Sequence, residues 1–383
     1  MTVRKEVQYI DSAPDLARFC LQLAGAGWFA LDTEFLREKT YYPKLCLLQV
    51  ATPDSVACID PLALDSLDPI LDLVFDPGIT KVMHSARQDM EIFYHLRSAA
   101  PGPVFDTQVA ALLLGYPDQI GYGNLVSEVL SVKLEKLHTR ADWSIRPLTQ
   151  DQIGYAADDV IYLVDIYREL RDRLAERGRL EWLDEDFARL SSDALYSNPP
   201  EDAWLRVKGG NRLKGAALAV LQALAGWRET LAQQRDRPRG WILRDDAMLE
   251  IARHRPTSLE ALGRIRGMQE AFIRHNGEQV IGMVAAAGKQ RPTPLPDAGL
   301  RLQLTPAQDA LVDVMSAVVR LSGAEHAINP AVLATRKQLE RLVSGDADVE
   351  ILHGWRRKLV GERLQALLAG ELSLSVRDGK LVL

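Results

Sequence analysis

The sequence is short of the features that would place a chain outside the cell or across a membrane. It has three cysteines, Cys20, Cys46 and Cys58, in 383 residues. They are scattered among apolar neighbours without metal-ligand spacing, so neither a disulfide framework nor a zinc site is expected. No apolar run approaches the roughly 18 residues of a spanning helix. The N-terminal Met1-Thr-Val-Arg-Lys-Glu6 lacks the apolar stretch and cleavage site of a signal peptide. A soluble, cytoplasmic protein without membrane association is the expectation. Charge of one sign is not abundant either, and the net −6 argues mildly against a polyanionic partner.

The distribution of charge reverses that last inference. Between Trp204 and Arg291 there are 16 Lys and Arg against 8 Asp and Glu, leaving 30 against 44 elsewhere. A basic module joined to an acid-rich one suits a protein that holds a polyanion in one place and cuts it in another. A solvated basic helical surface accounts for the charge equally well. The length and the 47% hydrophobic content allow two or three domains with real cores.

The first half alternates strand and helix signals. Strands are expected over 28–35, 44–51 and 55–60, joined as a meander by turns at Pro43 and 52–55. A short helix over 69–75, a buried strand over 80–84, a helix over 86–96 and a short strand at 104–105 follow. Asp106 is well placed to cap a helix reaching Leu114. Helices over 124–130 and 149–170 complete an α/β domain with a mixed sheet, ending near residue 190. A polar connector leads from Ser191 to Glu201, and a Pro-rich linker spans Gln290 to Pro296. Everything after residue 201 reads as helical, closing on a short stretch at 372–376. The two C-terminal segments are similar in length, which suggests a divergent internal duplication. Trp227 and Trp241 are expected to fill helical cores.

Four carboxylates carry the chemistry. Asp32 and Glu34 alternate along one strand and so share a face, with Thr33 on the other. Asp89 begins or closely precedes a helix. Asp159 lies one helical turn after Tyr155. Each has an ordinary alternative: a strand-end acid, a helix N-terminal acid, a solvated helix face, a buried tyrosine with a satisfied hydroxyl. Together they point elsewhere, since Asp32 closes an apolar strand where an unpaired charge is costly. Gathered acids need a compensating cation, and a pair of divalent metals with oxygen ligands is the economical one. Such a centre cleaves phosphodiester bonds. The Tyr155 hydroxyl, with an ordinary pKa near 10, is better suited to orienting water than to acting as a base.

These segments resemble the three motifs of the DEDD superfamily of 3′→5′ exonucleases, in the subgroup with tyrosine in the third motif. Leu31-Asp-Thr-Glu-Phe35 with Tyr42 to Ala51 resembles the first, Val82 to Phe93 the second and Tyr155 to Leu163 the third. Arg140 to Thr149, just ahead of the third motif, also fits. Leu218 to Trp227 and Ala261 to Gly267 resemble the HRDC domain. The resemblance implies an RNase H-like mixed-sheet exonuclease domain over 1–195, followed by two small all-α HRDC-like domains over 205–290 and 297–383, the second divergent. It makes Asp32, Glu34, Asp89 and Asp159 ligands of two divalent ions, Mg²⁺ or Mn²⁺, with Tyr155 positioning water. The family spacing selects Asp159 over Asp158. It also implies release of nucleoside 5′-monophosphates from RNA with a single-stranded 3′ end, tRNA precursors and other structured RNAs included, by a monomer. A DNA exonuclease with the same four acids is the competing expectation.

Substrate contacts are less marked. Glu34 is placed to accept a terminal 3′-hydroxyl, and Thr33 and His84 lie where contacts are plausible. His84 is as readily a satisfied structural residue, and Phe35 reads more as core than as a base-stacking ring. Arg264 and Arg266, flanked by Gly263 and Gly267, are the best phosphate candidates among several arginines that include Arg235, Arg237, Arg239, Arg253 and Arg255.

Overall fold

The computed structural model describes residues 6–135, 141–294 and 303–382. Arg140 of the third-motif segment and Pro296 of the second linker lie outside the described residues. The chain forms two compact units, one of residues 1–34, 45–195 and 301–383, the other of 35–44 and 196–300.

The first unit holds the expected mixed α/β sheet. Its elements begin with β1 (Gln8–Ile10), α1 (Ala13–Leu23), β2 (Trp28–Leu36), β3 (Lys44–Ala51) and β4 (Val56–Ile59). They continue with α2 (Asp68–Val74), β5 (Thr80–Met83), α3 (Arg87–Arg97) and β6 (Val104–Asp106). The strand order is β1-β4-β3-β2-β5-β6. β3 and β4 are antiparallel, with Val50 opposite Ala57. β5 runs parallel to both β2 and β6, with Val82 opposite Ala30 and Phe105. β3 and β4 are buried throughout apart from Lys44 and apolar apart from Lys44 and Gln49, as suits strands covered on both sides. β1 and α1 fall where no element was expected. The signal for α1 is local: Ser12 caps it and Pro14 sits in its first turn.

Two polar clamps hold this unit together. Lys81 is fully buried in β5, and its ammonium donates to the carbonyls of Asp76 (2.9 Å), Ile79 (2.6 Å) and Gly102 (2.7 Å). Burial pulls its pKa down to about 8. Three carbonyl acceptors nevertheless match the three N–H donors of the charged form. Arg146 makes a bidentate pair with buried Asp60 at 2.6 and 2.7 Å and donates to the Cys46 carbonyl at 2.6 Å. It thereby fastens the segment ahead of the long helix onto β3 and the end of β4.

α4 (Thr107–Leu112), α5 (Tyr122–Leu130), α6 (Gln150–Glu176) and α7 (Asp184–Leu190) complete this half of the chain. α6 opens with a capping box between Thr149 and Gln152. It runs past the expected end because buried Leu170 and Leu174 extend its apolar face.

The second unit contains α8 (Gly215–Gln234), α9 (Arg239–Ile242), α10 (Asp245–His254), α11 (Leu259–Gly263) and α12 (Glu270–Ala287). They enclose a core that includes Leu221, Leu224, Met248, Ile251 and Val280, with Trp227 packed against it. Trp241 corrects the expectation of a core residue: it is 60% exposed. It rides on a single turn of helix, and Arg237 lies 5.8 Å over its ring. Where α12 passes α11, Gly277 leaves room for the tip of the Leu259 side chain.

The remaining elements, α13 (Pro306–His326), α14 (Pro330–Leu333), α15 (Arg336–Val343), α16 (Gly354–Arg356), α17 (Glu362–Leu368) and an exposed hairpin of β7 (Ser375–Arg377) and β8 (Lys380–Val382), belong with the sheet. Asn329 donates from its amide to the Leu112 carbonyl (2.9 Å) and from its side chain to that of Tyr116 (2.8 Å). Arg179 bridges the carbonyls of Leu113 and His326, each at 2.7 Å. The Trp355 indole stacks flat on Trp182, 4.7 Å between centroids and 7° between planes. Among the described residues no helix is long and apolar enough to cross a membrane.

Candidate active site

β2 carries its acids at the end of a fully buried run, Phe29-Ala-Leu31. Alternation sends Asp32 and Glu34 to one face. Thr33 between them is 6% exposed, and its hydroxyl donates to a carboxylate oxygen of Asp89. The structure thus gives Thr33 a protein partner and makes it a bridge from β2 to α3.

Asp89 sits in the first turn of α3 and is itself buried. The helix is launched from Ser85, whose φ of 59° lies in the left-handed region. That turn is held by Asp106, which accepts from the amides of Ser85 (3.0 Å) and Ala86 (2.8 Å). Asp106 also caps α4 through the Gln108 amide at 2.8 Å, as its position in the sequence predicts. Its second task, aiming Asp89, was not legible from the sequence.

α6 supplies the rest. Its residues Tyr155 and Asp159 lie one turn apart. The Tyr155 ring stacks on buried Trp143, 6.2 Å between centroids. Tyr122, a residue that sequence reasoning missed, donates its hydroxyl to the Asp158 carbonyl at 2.8 Å and steadies the same turn. Only the Gly121 and Gly123 flanking it hinted at a special position.

The electrostatics unite the four acids. Burial raises the Asp32 carboxyl well above its ordinary range, and the charges of Asp89, Asp159 and Glu34 raise it further. Burial and then Asp159 and Asp89 push Glu34 up to about 8. Burial lifts Asp89 to about 7, against the Thr33 hydrogen bond, and lifts Asp159 to about 7 with help from Asp158. The main influences on these groups are other carboxyls, a threonine hydroxyl and backbone amides, with no basic side chain among them. Protons in such a set belong to the cluster more than to any member. Asp159 acts on Asp32, Glu34, Tyr155 and Tyr122, and Asp158 on Asp159 and, more weakly, Tyr122. Burial, followed by Asp159, Glu34 and Asp32, drives the Tyr155 phenol far upward.

The other expected contacts are placed differently. His84 has both ring nitrogens engaged, with the Thr107 hydroxyl at 2.9 Å and the Ile120 carbonyl at 3.0 Å. It supports the wall behind Tyr122, whose ring meets its own edge-on at 5.6 Å. Phe35 is half-buried at the end of β2. Arg264 and Arg266 are exposed in the helical unit, where Arg264 pairs with Glu260. A cleft of about 250 Å³ opens beside the acids, lined by Tyr122, Asn124, Leu134, Tyr155 and Asp159 among others.

Oxygen-only donors of this kind match hard divalent cations. Like charges stand apart, and among the described residues no three His, Cys, Asp or Glu side chains are grouped tightly enough to grip an ion unaided. The fit rests on donor chemistry and on the mutual repulsion that a cation would relieve, not on preformed ligand distances.

Comparison with known proteins agrees with this geometry. Residues 7–175 match the family described as 3′-5′ exonuclease, and residues 217–284 the HRDC domain. The chain is 41% identical to ribonuclease D of Nitrobacter hamburgensis over 97% of its own length and 98% of the relative's. It is 40% identical to ribonuclease D of Granulibacter bethesdensis, over 97% and 94%. Among solved structures it is similar to Escherichia coli RNase D, an exoribonuclease involved in structured RNA processing, with a TM-score of 0.83, 32% identity and coverage of 96% and 99%.

Proposed function

The chain belongs to the ribonuclease D family of 3′→5′ exoribonucleases, and from that premise we propose how it works and on what. Asp32, Glu34, Asp89 and Asp159 bind two divalent ions, Mg²⁺ or Mn²⁺, and Tyr155 orients the attacking water. The observation that carries this reading is that Asp32 feels the charges of Asp89, Asp159 and Glu34 together. The four carboxyls come from one strand and two helices. When bound, the ions would lower the pKa of water and stabilise the departing 3′-oxygen.

The chain's own residues supply alignment. Thr33 and Asp106 fix Asp89, and Trp143 and Tyr122 fix the turn that carries Tyr155 and Asp159. The phenol, protonated across the working range, donates one hydrogen bond to hold its water partner in line. The adjoining cleft accepts the 3′-terminal nucleotide of a single-stranded tail. The substrates we propose are tRNA precursors and other structured RNAs with short 3′ ends, processed by a monomer in the cytoplasm, where its three buried free cysteines stay reduced. The modules are the exonuclease over 1–195 and the helical domains over 205–290 and 297–383. In the helical unit, exposed Trp241 suits a stacked base, and exposed Arg264 and Arg266 suit backbone phosphates.

Matched RNA and DNA oligonucleotides with single-stranded 3′ tails test the proposal, with each metal supplied singly and with both withheld. Stepwise release of 5′-monophosphates from RNA, abolished by EDTA and restored by Mg²⁺ or Mn²⁺, is the expected result. Metal-independent release, or equal activity on DNA, would overturn it.

A further inference from the structure

The residues between the end of β2 and the start of β3 take no part in the reaction described above, yet they are held more firmly than a surface turn requires. Residues 35–44 belong to the helical unit. Within it Tyr41 is 5% exposed and Glu229 wholly buried. The Tyr41 hydroxyl donates to Glu229 Oε1. Arg239 donates to both oxygens of the same carboxylate at 2.6 and 2.7 Å and to the Tyr41 oxygen at 2.9 Å. Its guanidinium also lies over the Tyr41 ring, 4.7 Å from the centroid. Arg206 reaches Glu229 at 3.3 Å, and Gln233 reaches the Tyr41 oxygen at 3.2 Å. The main chain is gripped as well: the amides of Tyr41 and Tyr42 both donate to Asp236 Oδ1, at 2.9 and 3.0 Å. One helix and the turn after it therefore clamp this loop by its side chain and its backbone.

The loop is the direct continuation of the strand that carries Asp32 and Glu34. The clamp fixes the conformation of the residues into which that strand runs. We infer that Glu229, Tyr41 and Arg239 are positioning residues for the hydrolysis, setting the course of the end of β2 that carries Asp32 and Glu34. The first helical module is on this account a working part of the nuclease, in addition to any hold it has on RNA. The inference rests on the metal-dependent reading given above.

The test uses the full-length chain with Tyr41→Phe, which removes one hydroxyl and leaves the ring, and Glu229→Gln. Turnover is measured on a diribonucleotide, which spans only the scissile bond and offers nothing to distant phosphate contacts. Mn²⁺ affinity is measured separately, without substrate, by electron paramagnetic resonance. Both variants are expected to lose about tenfold in kcat on the dinucleotide, part of the roughly hundredfold that a full ångström of misplacement costs. Mn²⁺ binding is expected to weaken about fivefold while KM stays within about twofold, matching loosened ligands without lost substrate contacts. Wild-type kcat and Mn²⁺ affinity in Tyr41→Phe would overturn the inference, as would a defect confined to long RNA. Should Glu229→Gln prove unfolded by circular dichroism, Tyr41→Phe decides the matter. A wild-type chain that hydrolyses RNA without metal would instead remove the reading beneath it, and that control is run first.

Discussion

Glu229 in the helical unit and Asp32 on the sheet are both carboxyls withdrawn from water, and they are treated in opposite ways. Burial pushes Glu229 up, but hydrogen bonds from Arg239 and Tyr41 and the charges of Arg239 and Arg206 more than reverse it, leaving it below its ordinary range. Asp32 is partly buried and has no such help, and three further acids drive it higher. Asp60 repeats the first pattern: bonds from Arg146 and Tyr9 outweigh its burial. Where the chain supplies the countercharge, the acid is part of the architecture. Where it withholds the countercharge, the acids are left with a repulsion that a cation from solution would relieve.

The contrast can be broken by experiment. The largest effect belongs to Asp32→Asn, which should lower turnover by about four orders of magnitude, the scale of losing an essential group. The same change removes one of four repelling charges, so the metal-free chain should melt at an unchanged or higher temperature. A marked loss of stability would make Asp32 a structural acid like Glu229. Tyr155→Phe should cost about a hundredfold in kcat, the range of a positioning hydrogen bond, with RNA affinity unchanged in a filter-binding assay. Glu229→Gln should behave oppositely to Asp32→Asn and destabilise the chain by about 2 kcal/mol in urea denaturation, because it weakens the charge-assisted bonds that Arg239 and Tyr41 make to a wholly buried carboxylate.

The smallest effect is the dependence on pH. Glu34, Asp89 and Asp159 have folded-state pKa values raised to about 8, 7 and 7. Their contribution to stability is complete below the ordinary carboxylate range and is lost as pH rises through about 7 to 8. Asp60 and Glu229 run the other way, stabilising above that range and failing as pH falls below it. Scanning calorimetry of the metal-free chain should therefore show stability falling by about 1 kcal/mol or more from pH 5.5 to 8, with Mg²⁺ removing the slope. A flat metal-free profile would mean that the acids do not interact.

What the sequence disclosed was whatever is written locally. The Asp-x-Glu alternation of β2, the Asp106 cap, the capping box of Thr149 and Gln152, and the turn from Tyr155 to Asp159 are relations among near neighbours. The meander of β2, β3 and β4 follows from strands separated by short turns. Partnerships set by the folded topology were not legible. The bond from Thr33 to Asp89, the two amides held by Asp106, and the clamp on Tyr41 join residues far apart along the chain. Lys81 looked like an ordinary strand residue, and nothing in its neighbours announces three carbonyl acceptors. Trp241 was misassigned because helical spacing marks a face without saying whether anything covers it. His84, weighed as a substrate contact or a satisfied structural residue, has both ring nitrogens engaged by protein partners.

The stacked indoles of Trp182 and Trp355 bear on how the protein can be dissected. Ending the chain after residue 300 would strip a flat aromatic surface of its cover and leave the Leu112 and Tyr116 carbonyls without the donors of Asn329. A shortened nuclease of that kind should self-associate through the uncovered ring and elute early in gel filtration. Replacing Trp182 with a polar residue in the shortened protein should restore its expected elution.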